Sequence, residues 1–153
     1  MRITLAQIDS RPGELDANVA RAEQVIAEAV SEGTDLVVFP ELSLSGYSIG
    51  DLKEDISIPP DDRRLAKLAK QTNGAGVLLG FPEAQAHGLH IYNSAAYYEN
   101  GQLVHVHRTL FLPHYPTFAE THHFLPSQSP RAFPIPGGAP RPATLGCTAP
   151  RPP

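Results

Sequence analysis

Asp35-Leu36-Val37-Val38-Phe39-Pro40-Glu41-Leu42-Ser43-Leu44-Ser45-Gly46-Tyr47 is the stretch on which the fold turns. Leu36 to Phe39 is an unbroken apolar run behind one acid. That is the pattern of a strand covered on both faces, as in a parallel sheet. Pro40 stops the strand, and Glu41 follows at its carboxyl end. In open α/β sheets, ligands bind at that end. A carboxylate held there beside apolar walls can have a raised pKa and serve as a base. Position alone also allows a solvated loop glutamate or a helix-start acid, because surface glutamate is common.

The flanking sequence completes a βα unit. Upstream, Arg2 to Ile8 reads as a buried strand, carried by Ile3, Leu5 and Ala6. Leu15, Val19, Ala22, Ile26, Ala29 and Val30 recur at steps of three and four, which predicts one apolar stripe on a helix that Gly33 ends. Downstream, Asp61 is placed to cap a second helix with Leu65, Leu68 and Ala69 buried. Gly76 to Phe81 predicts another buried strand. Ile91 to Tyr98 and Gln102 to His107 predict a strand pair turned at Asn100-Gly101, since both turn residues accept positive φ. Strands alternating with helices predict an α/β fold.

Composition narrows the function. The 153 residues amount to one domain and carry a formal net charge of −4, without the basic footprint of a nucleic-acid binder. No run of 18 apolar residues predicts a membrane span, and no signal-peptide stretch follows Met1. Cys147 is the single cysteine, which fits a reducing cytoplasm. Proline divides the chain: seven lie in residues 1–125 and nine in residues 126–153. All 16 acidic residues lie in the first part, and the last 28 residues hold three arginines and no acid. We therefore expect a globular segment over 1–125 and an irregular Pro-rich tail over 126–153.

Taken together, the motifs resemble the nitrilase superfamily of carbon–nitrogen hydrolases. The matching residues are Ala6-Gln7, Asn18, Asp35 to Tyr47, Gly80-Phe81-Pro82-Glu83 and Tyr92-Asn93-Ser94-Ala95. Gly101, Arg108, Leu112-Pro113, Tyr115, Phe118, Glu120 and Phe124 follow in consistent order. The stretch from Leu112 to Phe124 looks most like the glutamine-amidase branch found with NAD synthetases, and like related bacterial amidases. The resemblance implies the N-terminal part of an αββα sandwich, incomplete here, and usually paired into dimers. It implies hydrolysis of a small amide, nitrile or glutamine-like substrate through a thioester, with no cofactor and no metal. The family chemistry uses a Glu–Lys–Cys triad, an activated nucleophile with electrostatic stabilisation. Glu41 matches the general base and Glu120 a supporting glutamate, while Tyr47 and Tyr115 match pocket positions.

Two triad positions depart from this pattern. Thr109 follows Arg108 where the family has its lysine, and threonine carries no charge. Arg108 could lean in, but guanidinium does not give up a proton and has another shape. Cys147 is the candidate nucleophile, yet Pro140 and Pro142 disfavour a central strand before it and no acid follows it. From about Gly138 the resemblance stops, and 13 of the last 17 residues are Gly, Ala, Pro or Arg. Those residues have the most G/C-rich codons, so the expectation is divided between a frameshift product and an ordinary disordered terminus. The expected outcome is a truncated, impaired hydrolase. The alternative is a non-catalytic partner that pairs with a full-length relative, or with itself. Other signals are weaker: His105 and His107 share one strand face but match no zinc spacing, and Ser43 and Ser45 form no nucleophile elbow.

Overall fold

A computed structural model describes residues 1–47, 56–85, 91–112, 114–115, 118–119 and 123–128. Strands β1 (Ile3–Leu5), β2 (Leu36–Val38), β3 (Gly76–Ala84), β4 (Ile91–Glu99) and β5 (Gln102–Arg108) form one mixed sheet in that order. The first three run parallel, and β3, β4 and β5 are antiparallel in turn. Helices α1 (Leu15–Ser31) and α2 (Arg63–Lys70) follow β1 and β2. Beyond the sheet, β6 (His114–Tyr115) and β7 (Phe118–Ala119) pair antiparallel. The α/β architecture expected from the sequence is therefore observed. No described helix is long and apolar enough to cross a membrane.

One face of the sheet is buried under the helices. The α1 stripe of Leu15, Val19, Ala22, Ile26 and Ala29 packs with Leu65, Leu68 and Ala69 of α2 on Val37, Val77, Leu79, Phe81, Ala96 and Tyr98. These sheet residues sit at alternate positions because the strand period is two. Asp62, not Asp61, caps α2: its carboxylate accepts from the Arg64 amide at 2.8 Å and from Arg64 Nε at 2.9 Å. Those bonds hold the Asp62 carboxyl below the usual carboxylate range. The hairpin turns at Asn100 (φ 50°) and Gly101 (φ 77°), as its dipeptide predicts.

The opposite face is different. Leu36, Val38, Leu78 and Tyr97 cluster there, but Ile3 is 47% and Leu5 75% exposed. The expectation that β1 is buried is therefore corrected for these two side chains. β1 is an edge strand, and among the described residues no layer covers its outer face. The full burial expected of Leu36 to Phe39 holds at Leu36, Val37 and Phe39, while Val38 on the same open side is half-buried.

Candidate active site

The carboxyl ends of β2 and β3 lie beside the start of β4 and the end of β5. β2 hands over to a turn at Glu41–Ser45, which crosses the sheet end above Gly80. The amide of Leu44 and the hydroxyl of Ser43 both donate to the Gly80 carbonyl, at 3.2 and 3.1 Å. A Cβ on residue 80 would stand 2.5 Å from the Leu42 nitrogen and 3.0 Å from the Glu41 Cα. Only glycine lets the turn lie this close. From the other side, Asn18 of α1 donates to the Leu44 carbonyl at 3.1 Å, and Ser10 to the Ser43 carbonyl at 2.8 Å. Ser43 and Ser45 thus build the turn: the Ser45 hydroxyl bonds to the Gly46 carbonyl at 3.0 Å.

The turn presents Glu41 to Asn93. The Asn93 side-chain amide donates to Glu41 Oε1 at 2.7 Å, and Asn93 is buried. Next to it, the Thr109 amide donates to the Asn93 carbonyl at 2.9 Å. Thr109 is itself buried. Asn93 therefore links the glutamate to the position where the sequence resemblance expects a lysine. Glu41 is exposed.

Arg108 does not lean into this site. Its Nε donates to Glu83 Oε2 at 2.9 Å and its Nη2 to Oε1, while its guanidinium stacks 4.3 Å above the Tyr92 ring. Ser94 donates to the same Glu83 carboxylate at 2.6 Å. The ion pair raises the Arg108 pKa. Arg108 therefore belongs to the opposite sheet face and cannot substitute for the missing lysine from there.

Of the other site candidates, Tyr47 ends the Glu41 turn and is 43% exposed. Tyr115 lies in β6, paired in register with Phe118. Glu120 and Cys147 lie outside the described residues. His105 and His107 both line a groove of about 960 Å³ along β5, with Tyr92, Leu125 and Ser127 among its other walls. No group of three or more His, Cys, Asp or Glu among the described residues could hold a metal ion. Sequence reading missed the roles of Asn93 and of the Glu83–Arg108 pair. The one available signal was the alternation Tyr92-Asn93-Ser94, which sends neighbouring polar groups to opposite faces.

Comparison with known proteins identifies the family and the fold. The model of the family described as carbon–nitrogen hydrolase matches residues 2–146, further along the chain than the motifs above reached. The glutamine-dependent NAD(+) synthetase of Thermotoga maritima is 36% identical over 131 residues, covering 84% of this chain and 22% of that protein. Among solved structures, the glutamine-dependent NAD+ synthetase of Acinetobacter baumannii superposes with a TM-score of 0.73 at 30% identity. That match covers 88% of this chain and 26% of the synthetase. A nitrilase-superfamily amidase from Nesterenkonia AN1 shares the fold, with a TM-score of 0.76 over 88% of this chain and 51% of the amidase, at 22% identity. The chain thus spans about a quarter of the synthetases and half of the amidase.

Proposed function

The chain belongs to the carbon–nitrogen hydrolase family, and from that premise we propose that it carries the general-base end of an amidase-type site. The substrate class would be a small amide, nitrile or glutamine-like molecule. The hydrogen bond from Asn93 to Glu41 carries this reading. It orients a carboxylate at the mouth of the sheet, where an attacking thiol would have to lose its proton. The carbon attacked would be a carbonyl or nitrile carbon, and Cys147 is the candidate nucleophile. Glu120, by its place in the motif, would support the charge balance, and Tyr47 and Tyr115 would line the pocket.

We further propose that the site is impaired. Thr109 brings no cation to the developing negative charge, and loss of one such stabilising group costs roughly 10²–10³ in turnover. The test is ammonia release from glutamine and short aliphatic amides by the purified chain. Wild type is expected to be barely active, and Thr109→Lys to gain on the order of 10²-fold. Glu41→Gln should abolish the gain. Wild-type turnover equal to that of Thr109→Lys would overturn the impairment. Turnover that survives Glu41→Gln would overturn the assigned base.

A second reading is a non-catalytic chain that pairs with a full-length relative. The exposed Ile3 and Leu5, on the face that no described helix covers, favour it, because a contiguous apolar face marks an interaction surface. Co-expression with such a relative should then yield a stable complex that Leu5→Lys disrupts.

A further inference from the structure

Two networks stand back to back at the end of the sheet. Asn93 and Ser94 are consecutive in β4, so their side chains leave on opposite faces. Asn93 reaches Glu41 on one side, and Ser94 reaches Glu83 on the other. Arg108 and Thr109 repeat the arrangement: Arg108 clamps Glu83, and Thr109 follows it beside Asn93. The register pairs Ser94 with Arg108 and Glu83 with Tyr92. Glu83 is only 1% exposed, with both carboxylate oxygens occupied.

The hairpin turn does not by itself set the register at this end. Between Tyr97 and Tyr98 the pairing of β4 with β5 shifts, so the alignment imposed at Asn100-Gly101 is interrupted two pairs from the turn, with four pairs beyond it. Something beyond the bulge must align the strands again, because a slip of one residue would exchange the two faces. A buried carboxylate held by a two-pronged guanidinium does this, since slippage would leave a buried charge unpaired. We propose that Glu83 and Arg108 are positioning residues of the hydrolase site. Their clamp fixes the strand register that places Asn93 against Glu41 and residue 109 beside it. This inference rests on Glu41 being the site carboxylate, but its test does not depend on turnover.

The test is NMR of the full chain, comparing wild type with Arg108→Gln and Arg108→Lys. In Arg108→Gln, the Asn93 side-chain amide should move to the shift of a solvent-exposed asparagine. Exchange of the Thr109 amide should accelerate roughly tenfold more than exchange of the central β3 amides, which report the loss of global stability. Arg108→Lys should restore part of both signals. A merely structural role predicts instead that Thr109 and the β3 amides lose protection together, with the Asn93 signal unmoved, and that result would overturn the proposal. Should Arg108→Gln fail to fold, Glu83→Gln decides, because it weakens the clamp without leaving a buried carboxylate unpaired. It should shift the Asn93 signal in the same direction by less, and no shift would overturn the proposal. Absence of ammonia release from wild type and Thr109→Lys alike, with these NMR changes intact, would sink the hydrolase reading and leave the clamp standing.

Discussion

A methyl group at Gly80 would meet the backbone nitrogen of Leu42 at 2.5 Å. The obstacle is main chain, not a flexible side-chain tip, so it cannot swing away. Gly80→Ala should therefore displace the Glu41 turn and destabilise the chain by about 1–3 kcal/mol. Urea unfolding would show this as a lower midpoint with an unchanged slope. His107 supplies a second prediction at this scale. It is 9% exposed, and its Nε2 has no hydrogen-bond partner among the described residues. Burial pushes its pKa down. The unfolded chain then binds this proton more readily than the folded one, whose imidazole stays neutral. The stabilisation is fully present above the ordinary histidine value of about 6.5, and is lost as pH falls through the lowered folded value. Thermal melts below about pH 6.5 should fall less steeply for His107→Leu than for wild type.

Two elements owe their ends to named polar groups. The first helical turn of α2 is closed by Asp62, whose lowered pKa means that the cap holds best as the carboxylate. Asp62→Ala should cost about 1 kcal/mol near neutrality. The difference from wild type should shrink as pH falls through the lowered carboxylate pKa, because protonation weakens the cap in wild type as well. Acid titration of the two melting curves checks this. Where β3 and β5 end beside the start of β4, the Glu83–Arg108 pair is the costly element to break. Removing Arg108 leaves a buried carboxylate unpaired, so Arg108→Met should lose about 3 kcal/mol. Glu83→Gln with Arg108→Met should lose less than Arg108→Met alone, since it removes the stranded charge, and a double-mutant cycle measures the coupling.

Across the molecule, the sheet has one face sealed by α1 and α2 and one face with apolar side chains in water. Leu5 at 75% and Ile3 at 47% exposure flank half-buried Val38 and Leu78 on that side. A surface of this kind drives association. Sedimentation of the purified chain should show concentration-dependent self-association that Leu5→Lys reduces. The same change should leave the far-UV spectrum unaltered, because the Leu5 side chain is already in solvent.

The order of strands and helices was legible in the sequence because periodicity reports burial directly. The α1 stripe, the apolar β2 and β3 runs and the Asn100-Gly101 turn each follow from a local rule, and each appears where that rule puts it. Glu41 was singled out differently, by the resemblance of its motif to a family pattern, since its place after a strand-ending proline fits a surface carboxylate equally well. Partnership was not legible. Whether Arg108 serves the site or a neighbouring carboxylate depends on which face it takes, and that depends on a register reset beyond a bulge. Whether Leu5 is covered depends on which strand stands at the edge of the sheet. Asn93 meets Glu41 across 52 positions, a distance in sequence that no short-range pattern encodes. Local sequence thus determined the elements and the chemistry of the residue types. Only the tertiary structure decided which polar groups share a face, because strand pairing is a long-range choice that reverses with a slip of a single residue.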